Sequence, residues 1–151
     1  MSRHGYTDDC DNMWDMIRWS GAVKSTLRGR RGQDFLRELL AALDALPEPR
    51  LIAEDLQNPT TGEVCALGAV ARARGADVSA VSADDWEQVS RLFGISETLA
   101  REIMFHNDDF NSAYRVGEAE RRFQRVREWV LSQIKSRGEL VLRAQIAGAR
   151  E

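Results

Sequence analysis

Hydrophobic positions recur at helical spacing along most of the chain. Met13, Trp14 and Ile17, continued by Val23, form a first apolar stripe. The run Thr-Asp-Asp-Cys-Asp-Asn at 7–12 precedes it. Its oxygen side chains suit the capping of free backbone N–H groups, and its acids suit the positive end of a helix dipole. Gly21 weakens this helix, and Gly29 and Gly32 punctuate its end. The clearest helix follows. Phe35, Leu36, Leu39, Leu40, Leu43 and Leu46 share a face, with Arg37, Glu38 and Asp44 on the other. Pro47 and Pro49 stop it, since neither can donate a backbone hydrogen bond.

Leu51-Ile52-Ala53 reads as a short extended piece and Asn58-Pro59-Thr60-Thr61-Gly62 as a turn. Residues 63–74 read as a helix whose small side chains (Cys65, Ala66, Gly68, Ala69, Ala71, Ala73) admit a close neighbour, with Gly75 as a left-handed stop. Ser82-Ala83-Asp84-Asp85 resembles a capping box with Asp85 in the place of the usual Glu. It opens a helix carrying Trp86, Val89, Leu92 and Phe93, ended by Gly94. Ser96 caps the next, which carries Leu99, Ile103 and Met104 until His106-Asn107-Asp108-Asp109 breaks the pattern. The last long helix is predicted from about Gly117 to Arg137, with Phe123, Val126, Val130 and Ile134 on one face beside Trp129. The expected fold is all-α, a compact orthogonal bundle of six or seven helices with room for one short extended segment at 51–53. Residues 1–138 make a single domain, and 139–151 extend the last helix or fray.

A length of 151 residues fits one domain, and 43% hydrophobic and 30% charged residues lie near globular averages. The net charge of −3 gives no global attraction to nucleic acid or to anionic membranes, so any such binding needs a local patch. The start of the chain is polar, with no apolar stretch of a secretory signal, and no run approaches a membrane span. Cys10 and Cys65 stand in no C-x-x-C spacing and read as free thiols of a reducing cytoplasm.

The local patch is Arg18 to Arg31, which holds Arg18, Lys24, Arg28, Arg30 and Arg31 and no acid. Its glycines let a backbone approach a ligand, and Gly32-Gln33-Asp34 leads into a helix, so a phosphate or carboxylate is the expected guest. The competing reading is internal neutralisation by Asp8, Asp9, Asp11 and Asp15. No G-K-[ST] follows at the spacing of a Walker loop. Of the tryptophans, Trp14, Trp86 and Trp129 read as core. Trp19 fits its stripe least and is assigned to the surface beside the basic turn.

A second candidate is the helix-turn-helix-like stretch 88–105, with Ser90 four residues before Gly94 and Ile95 after it. Ser96, Thr98 and Arg101 would then face DNA. Two departures weaken it: Ala100 stands where a bulkier residue is usual, and Glu97 and Glu102 oppose a single Arg101 on a helix meant to meet phosphates. His106 to Asp109, even with His4, Asp8, Asp9 and Cys10, matches no usual zinc or calcium spacing and reads as a solvated cap, so no metal site is expected. Cys65 sits among apolar residues and reads as buried and inert, and no catalytic motif or cofactor signature is present.

The run RGRRGQDFLRELLAALDAL at 28–46, followed by PEPRLIAEDL and GEVCALGAV, resembles a family of uncharacterised proteins encoded by bacteriophages and prophages. The later LFGISETLAREIMFHND and the Trp129 helix are similar too, so the resemblance runs from about residue 11 to 132. It carries no activity and no catalytic residues. It implies the cytoplasm of a bacterial host and an accessory role. Together these readings predict a non-enzymatic binding module whose basic turn (Arg18, Trp19, Lys24, Arg28, Arg30, Arg31, Gln33) engages a host or phage protein, with nucleic acid as the alternative partner and no membrane. The further alternatives are a DNA-binding regulator using 88–105, and a small enzyme holding a phosphorylated substrate at the basic turn with His106 near the chemistry. No cofactor is implied, and the oligomeric state is left open.

Overall fold

The computed structural model describes residues 12–108 and 116–135, together with 145, 146 and 148. Expectations for His4, Asp8, Asp9, Cys10, Asp11 and Asp109, and for nearly all of 139–151, lie outside them. Six named helices make up the described residues, with no named strand among them: α1 Met13–Arg28, α2 Arg30–Asp44, α3 Ala66–Arg74, α4 Trp86–Phe93, α5 Glu97–Asp108 and α6 Glu118–Gln133. They pack as an all-α helical bundle.

Asn12 caps α1, its side chain accepting the Asp15 N–H at 3.0 Å. Gly29 alone separates α1 from α2, ending the first helix through its N–H to the Ser25 carbonyl (3.0 Å) and starting the second. The corner is tight at Gly32, where a Cβ would overlap the Thr26 carbonyl oxygen, so no other residue fits without moving the backbone. Pro47 and Pro49 follow the end of α2, as their chemistry requires.

The predicted extended piece at 51–53 meets Val64 through the Ile52 N–H and the Val64 carbonyl (2.9 Å), and Gln57 and Val64 form an isolated bridge. The Asn58 side chain closes the expected turn by accepting from Thr60 N (2.8 Å) and Thr61 N (3.1 Å). This pairing explains why α3 starts at Ala66 rather than at 63. The Glu63 and Val64 carbonyls serve the Asn58 and Ile52 N–H groups and are unavailable to a helix. Gly68 of α3 lies against the Leu56 carbonyl with no space for a Cβ, which is the close approach its small residues foretold. Gly75 ends α3 at φ +68°.

The expected cap moves three residues along the chain, from Ser82 to Asp85. Asp85 itself caps α4, accepting from Gln88 N at 3.1 Å, and the Ser82 hydroxyl bonds Asp84 instead. At its other end, α5 continues through His106, Asn107 and Asp108, where the polar residues suggested a break.

Two helices organise the bundle. Each of α1, α3 and α6 packs against both α2 and α5, while α4 packs on α5. Leu36, Leu39, Leu43, Leu67, Leu99 and Ile103 are fully buried between them. Each contributes about 1.5–3 kcal/mol of hydrophobic stabilisation. Trp19, Trp86 and Trp129 pack on this core while Trp14 is 72% exposed, which exchanges the places expected for Trp14 and Trp19. On α1 the core side is Trp19, Val23 and Leu27, so the apolar stripe of Met13, Trp14 and Ile17 faces out.

Four buried polar residues tie the helices together. Gln33 is wholly buried. Its amide nitrogen donates to the Leu27 (2.6 Å) and Gln133 (2.9 Å) carbonyls, and its oxygen accepts the Lys135 N–H (2.8 Å). Asn107 accepts the Ala66 N–H at 3.1 Å and donates to the Ile52 carbonyl at 2.9 Å. Arg122 donates to the Asn107 (2.8 Å) and Leu51 (3.1 Å) carbonyls beside buried Glu118, which Arg125 meets at 2.7 Å. Burial is the largest influence on Arg122 and pulls its guanidinium below its ordinary value, against the pull of Glu118. The cost of burying these groups is offset because their main partners are carbonyl and N–H groups that would otherwise be stranded.

Candidate functional site

The two corners singled out in the sequence are neighbours in space. The Thr26 hydroxyl of α1 and the Ser96 hydroxyl before α5 share a hydrogen bond at 2.8 Å across 70 residues. Between the corners runs an open groove of about 440 Å³. Arg30 and Arg31 line it from the first corner, Phe93, Gly94 and Ile95 from the second, and Phe35 and Arg74 from the helices between. The Phe35 and Phe93 rings meet edge to face at 6.3 Å, and the Arg74 guanidinium sits over both at 5.8 and 5.9 Å.

Charge is used differently by different arginines around this groove. Arg74 is committed to the fold: it is held by the Glu38 carboxylate through two nitrogens and also donates to the Phe93 carbonyl at 3.2 Å. The Arg74 hydrogen bond holds the Glu38 carboxyl below its ordinary value, and Glu38 raises that of Arg74 in return. Arg18, Lys24, Arg28, Arg30 and Arg31 are all exposed. No carboxylate among the described residues pairs with any of them.

Arg30 and Arg31 also occupy the first turn of α2, which holds no acid. Cations at the positive end of a helix dipole each work against it by about 0.3–1 kcal/mol. The fold gains nothing visible in return, whereas a bound anion would relieve both the dipole and the crowded guanidinium charges.

Gln33 does not belong to this surface. Sequence reading placed it there because it follows the glycine-arginine turn, but its side chain is consumed by main-chain groups of α1 and the end of α6. Trp19 likewise packs inward, and its indole nitrogen is buried without a hydrogen-bond partner among the described residues. What replaces it outside is Met13, Trp14 and Ile17, exposed by 76, 72 and 54%. The signal for this reversal lay in the spacing of Trp19, Val23 and Leu27 at four-residue steps.

The second corner has the packing of a helix-turn-helix without a free second helix. α5 is bordered by α1, α3, α4 and α6. Ser96 is engaged with Thr26 and with the Leu99 N–H (3.1 Å), and Thr98 is half-buried. The Arg101 side chain is only 12% exposed, laid over the Trp86 ring at 5.3 Å and 3.8 Å from Glu97. Of these three residues Ser96 is exposed, and Thr98 and Arg101 are partly covered. The phosphate-enzyme alternative also loses its geometry. His106 stacks on Trp129 (4.1 Å between ring centres) and meets Glu102 at 3.1 Å, and it does not line the groove. Asn107, expected in a solvated cap, is fully buried. Cys65 is buried as expected, its thiol pushed up to about 12 chiefly by burial, with Met104 sulfur at 3.8 Å. Among the described residues no group of three or more His, Cys, Asp or Glu side chains could hold a metal, and no helix is long and apolar enough to cross a membrane.

Comparison with protein-family models, curated proteins and solved structures finds no match to this chain.

Proposed function

We propose that this protein is a phage-encoded accessory binding protein that works without catalysis, engaging an acidic surface of a host or phage protein through its basic turn. The observation that carries the reading is the set Arg28, Arg30 and Arg31: exposed and unpaired among the described residues, with Arg30 and Arg31 placed against a helix dipole at the rim of a groove. Beneath this charge the groove rests on the buried side chains of Phe35, Phe93 and Ile95. The net charge of −3 and the acids at Asp34 and Glu38 within the same groove favour a protein over a polyanion.

The test is a pull-down of tagged protein from phage-infected bacteria, with and without nuclease, beside the Arg28→Ala/Arg30→Ala/Arg31→Ala triple variant. The triple variant keeps its melting temperature within a few degrees, because exposed side chains cost little when removed. A discrete protein recovered by wild type after nuclease and lost from the variant is the expected outcome. Recovery of nucleic acid alone, or equal recovery by the variant, would sink the reading.

A further inference from the structure

The outer face of α1 is divided end to end. At 100° per residue, Trp14, Arg18, Gly21 and Arg28 fall on the side opposite Trp19, Val23 and Leu27, with Ile17, Lys24 and Met13 toward its flank. Every one of these outward residues is exposed. The face is therefore apolar from Met13 to Ile17 and basic from Arg18 to Arg28, with a glycine inside the basic part.

Among the described residues a Cβ at Gly21 would meet nothing within 4 Å, and its backbone is ordinary helix. Glycine is among the poorest helix formers, so its presence in the middle of a 16-residue helix weakens α1 without any internal return. A missing side chain at the centre of an exposed face is useful where another backbone must come close. Gly32 and Gly68 show the same economy inside the fold, each lying against a carbonyl.

We infer that this face seats an α-helix of the partner protein. The partner helix packs an apolar end on Met13, Trp14 and Ile17, crosses α1 over Gly21, and sets an acidic end against Lys24, Arg28 and the basic turn. The inference rests on the proposed role of that turn and adds the chemistry of what binds it. The end-to-end division decides the class of partner. A membrane-surface helix keeps apolar and basic residues on opposite sides along its whole length, so that one side is immersed. A nucleic-acid surface needs cations all along a face to meet regularly spaced phosphates. A helix of about 24 Å offers cations only from Arg18 onward here, and its first turn wants apolar contact. A second, amphipathic helix with one apolar and one acidic end satisfies both halves.

The test is a selection from random 16-residue peptides displayed against the full-length protein, followed by fluorescence anisotropy on an enriched peptide. The expected peptides carry apolar residues at helical spacing toward one end and Asp or Glu toward the other, and they gain helical circular dichroism on binding. Gly21→Gln is the decisive variant, because it blocks close backbone approach and improves the helix together. It is expected to raise Tm by about 3 °C while weakening the peptide at least tenfold, and Trp14→Ala weakens it similarly with Tm unchanged. Peptides without acids, an empty selection, or a Gly21→Gln protein that binds as wild type would overturn the inference. So would binding to a phosphatidylglycerol vesicle or a DNA duplex, or self-association, that Trp14→Ala abolishes in place of peptide binding. If only an Arg30→Ala/Arg31→Ala variant loses the peptide, the basic turn stands and the α1 face falls. If only the Gly21 and Trp14 variants lose it, the face stands and the basic turn falls.

Discussion

At the α1–α2 corner a glycine of ordinary negative φ joins two helices and leaves its arginines in solvent. At the α4–α5 corner a glycine at φ +69° turns the chain, and the nearby Arg101 lies flat on an indole. Both corners read in sequence as a glycine between amphipathic helices with basic residues at hand. The difference comes from what each second helix does. α2 starts at the surface and buries itself only from Gly32 onward, so Arg30 and Arg31 remain outside. α5 is bordered by four other helices, so its polar residues are drawn into contacts within the fold. A cation tells of binding only when the fold has left it without work.

The most severe way to break the comparison is at the residue that anchors the first corner from inside. Gln33→Leu keeps the side-chain volume nearly constant but removes the partner of the Leu27 and Gln133 carbonyls and of the Lys135 N–H. Each buried group left unpaired costs about 1–3 kcal/mol, so a loss of about 3 kcal/mol or more is expected in urea denaturation. A change below about 1 kcal/mol would return Gln33 to the surface assignment made from sequence.

The glycines of the two corners give a smaller and sharper contrast. Gly94→Ala forces a Cβ into the left-handed region and is expected to cost about 1–2 kcal/mol. Gly29→Ala has φ −67° and brings its Cβ to 3.4 Å from the Ser25 carbonyl oxygen, an ordinary approach, so its cost stays within about 0.5 kcal/mol. Thermal denaturation of both variants checks this. Equal effects would mean that the corners turn by the same means.

The smallest effect is electrostatic and lies in the groove between the corners. Arg74 lowers the folded-state value of Glu38, so the pair's stabilisation is fully present above the usual carboxylate range. It is lost as pH falls through the lowered value. Both side chains are about one third exposed, and solvent screening keeps the contribution below about 1 kcal/mol. Glu38→Gln should therefore lower Tm slightly at pH 7 and converge with wild type as the pH falls through the lowered Glu38 value. A constant difference across that range would assign the effect to packing.

The helices were legible because apolar spacing and breaker residues are local signals. Phe35 to Leu43 formed as spaced, Gly75 and Gly94 ended their helices, and the proline pair followed α2. Local chemistry misled where a distant segment competed for the same groups. Residues 63 and 64 carry helix-forming neighbours, yet their carbonyls were claimed by the 52–58 segment. Asn107 looked like a cap because it is polar, although it follows Leu99 and Ile103 at the four-residue steps of a core row. Glu118 and Arg122 precede Val126 and Val130 in the same way.

By itself the sequence determined that the chain is helical, where most helices end, and that positive charge is concentrated between Arg18 and Arg31. These depend on the identity of residues within a few positions of one another. Tertiary structure alone decided which side of α1 faces out, which arginines are spent on Glu38, Trp86 or main-chain carbonyls, and that two corners 70 residues apart share one groove. Those outcomes depend on which hydrogen-bonding and apolar groups arrive from distant segments, and the spacing along one helix does not encode its neighbours.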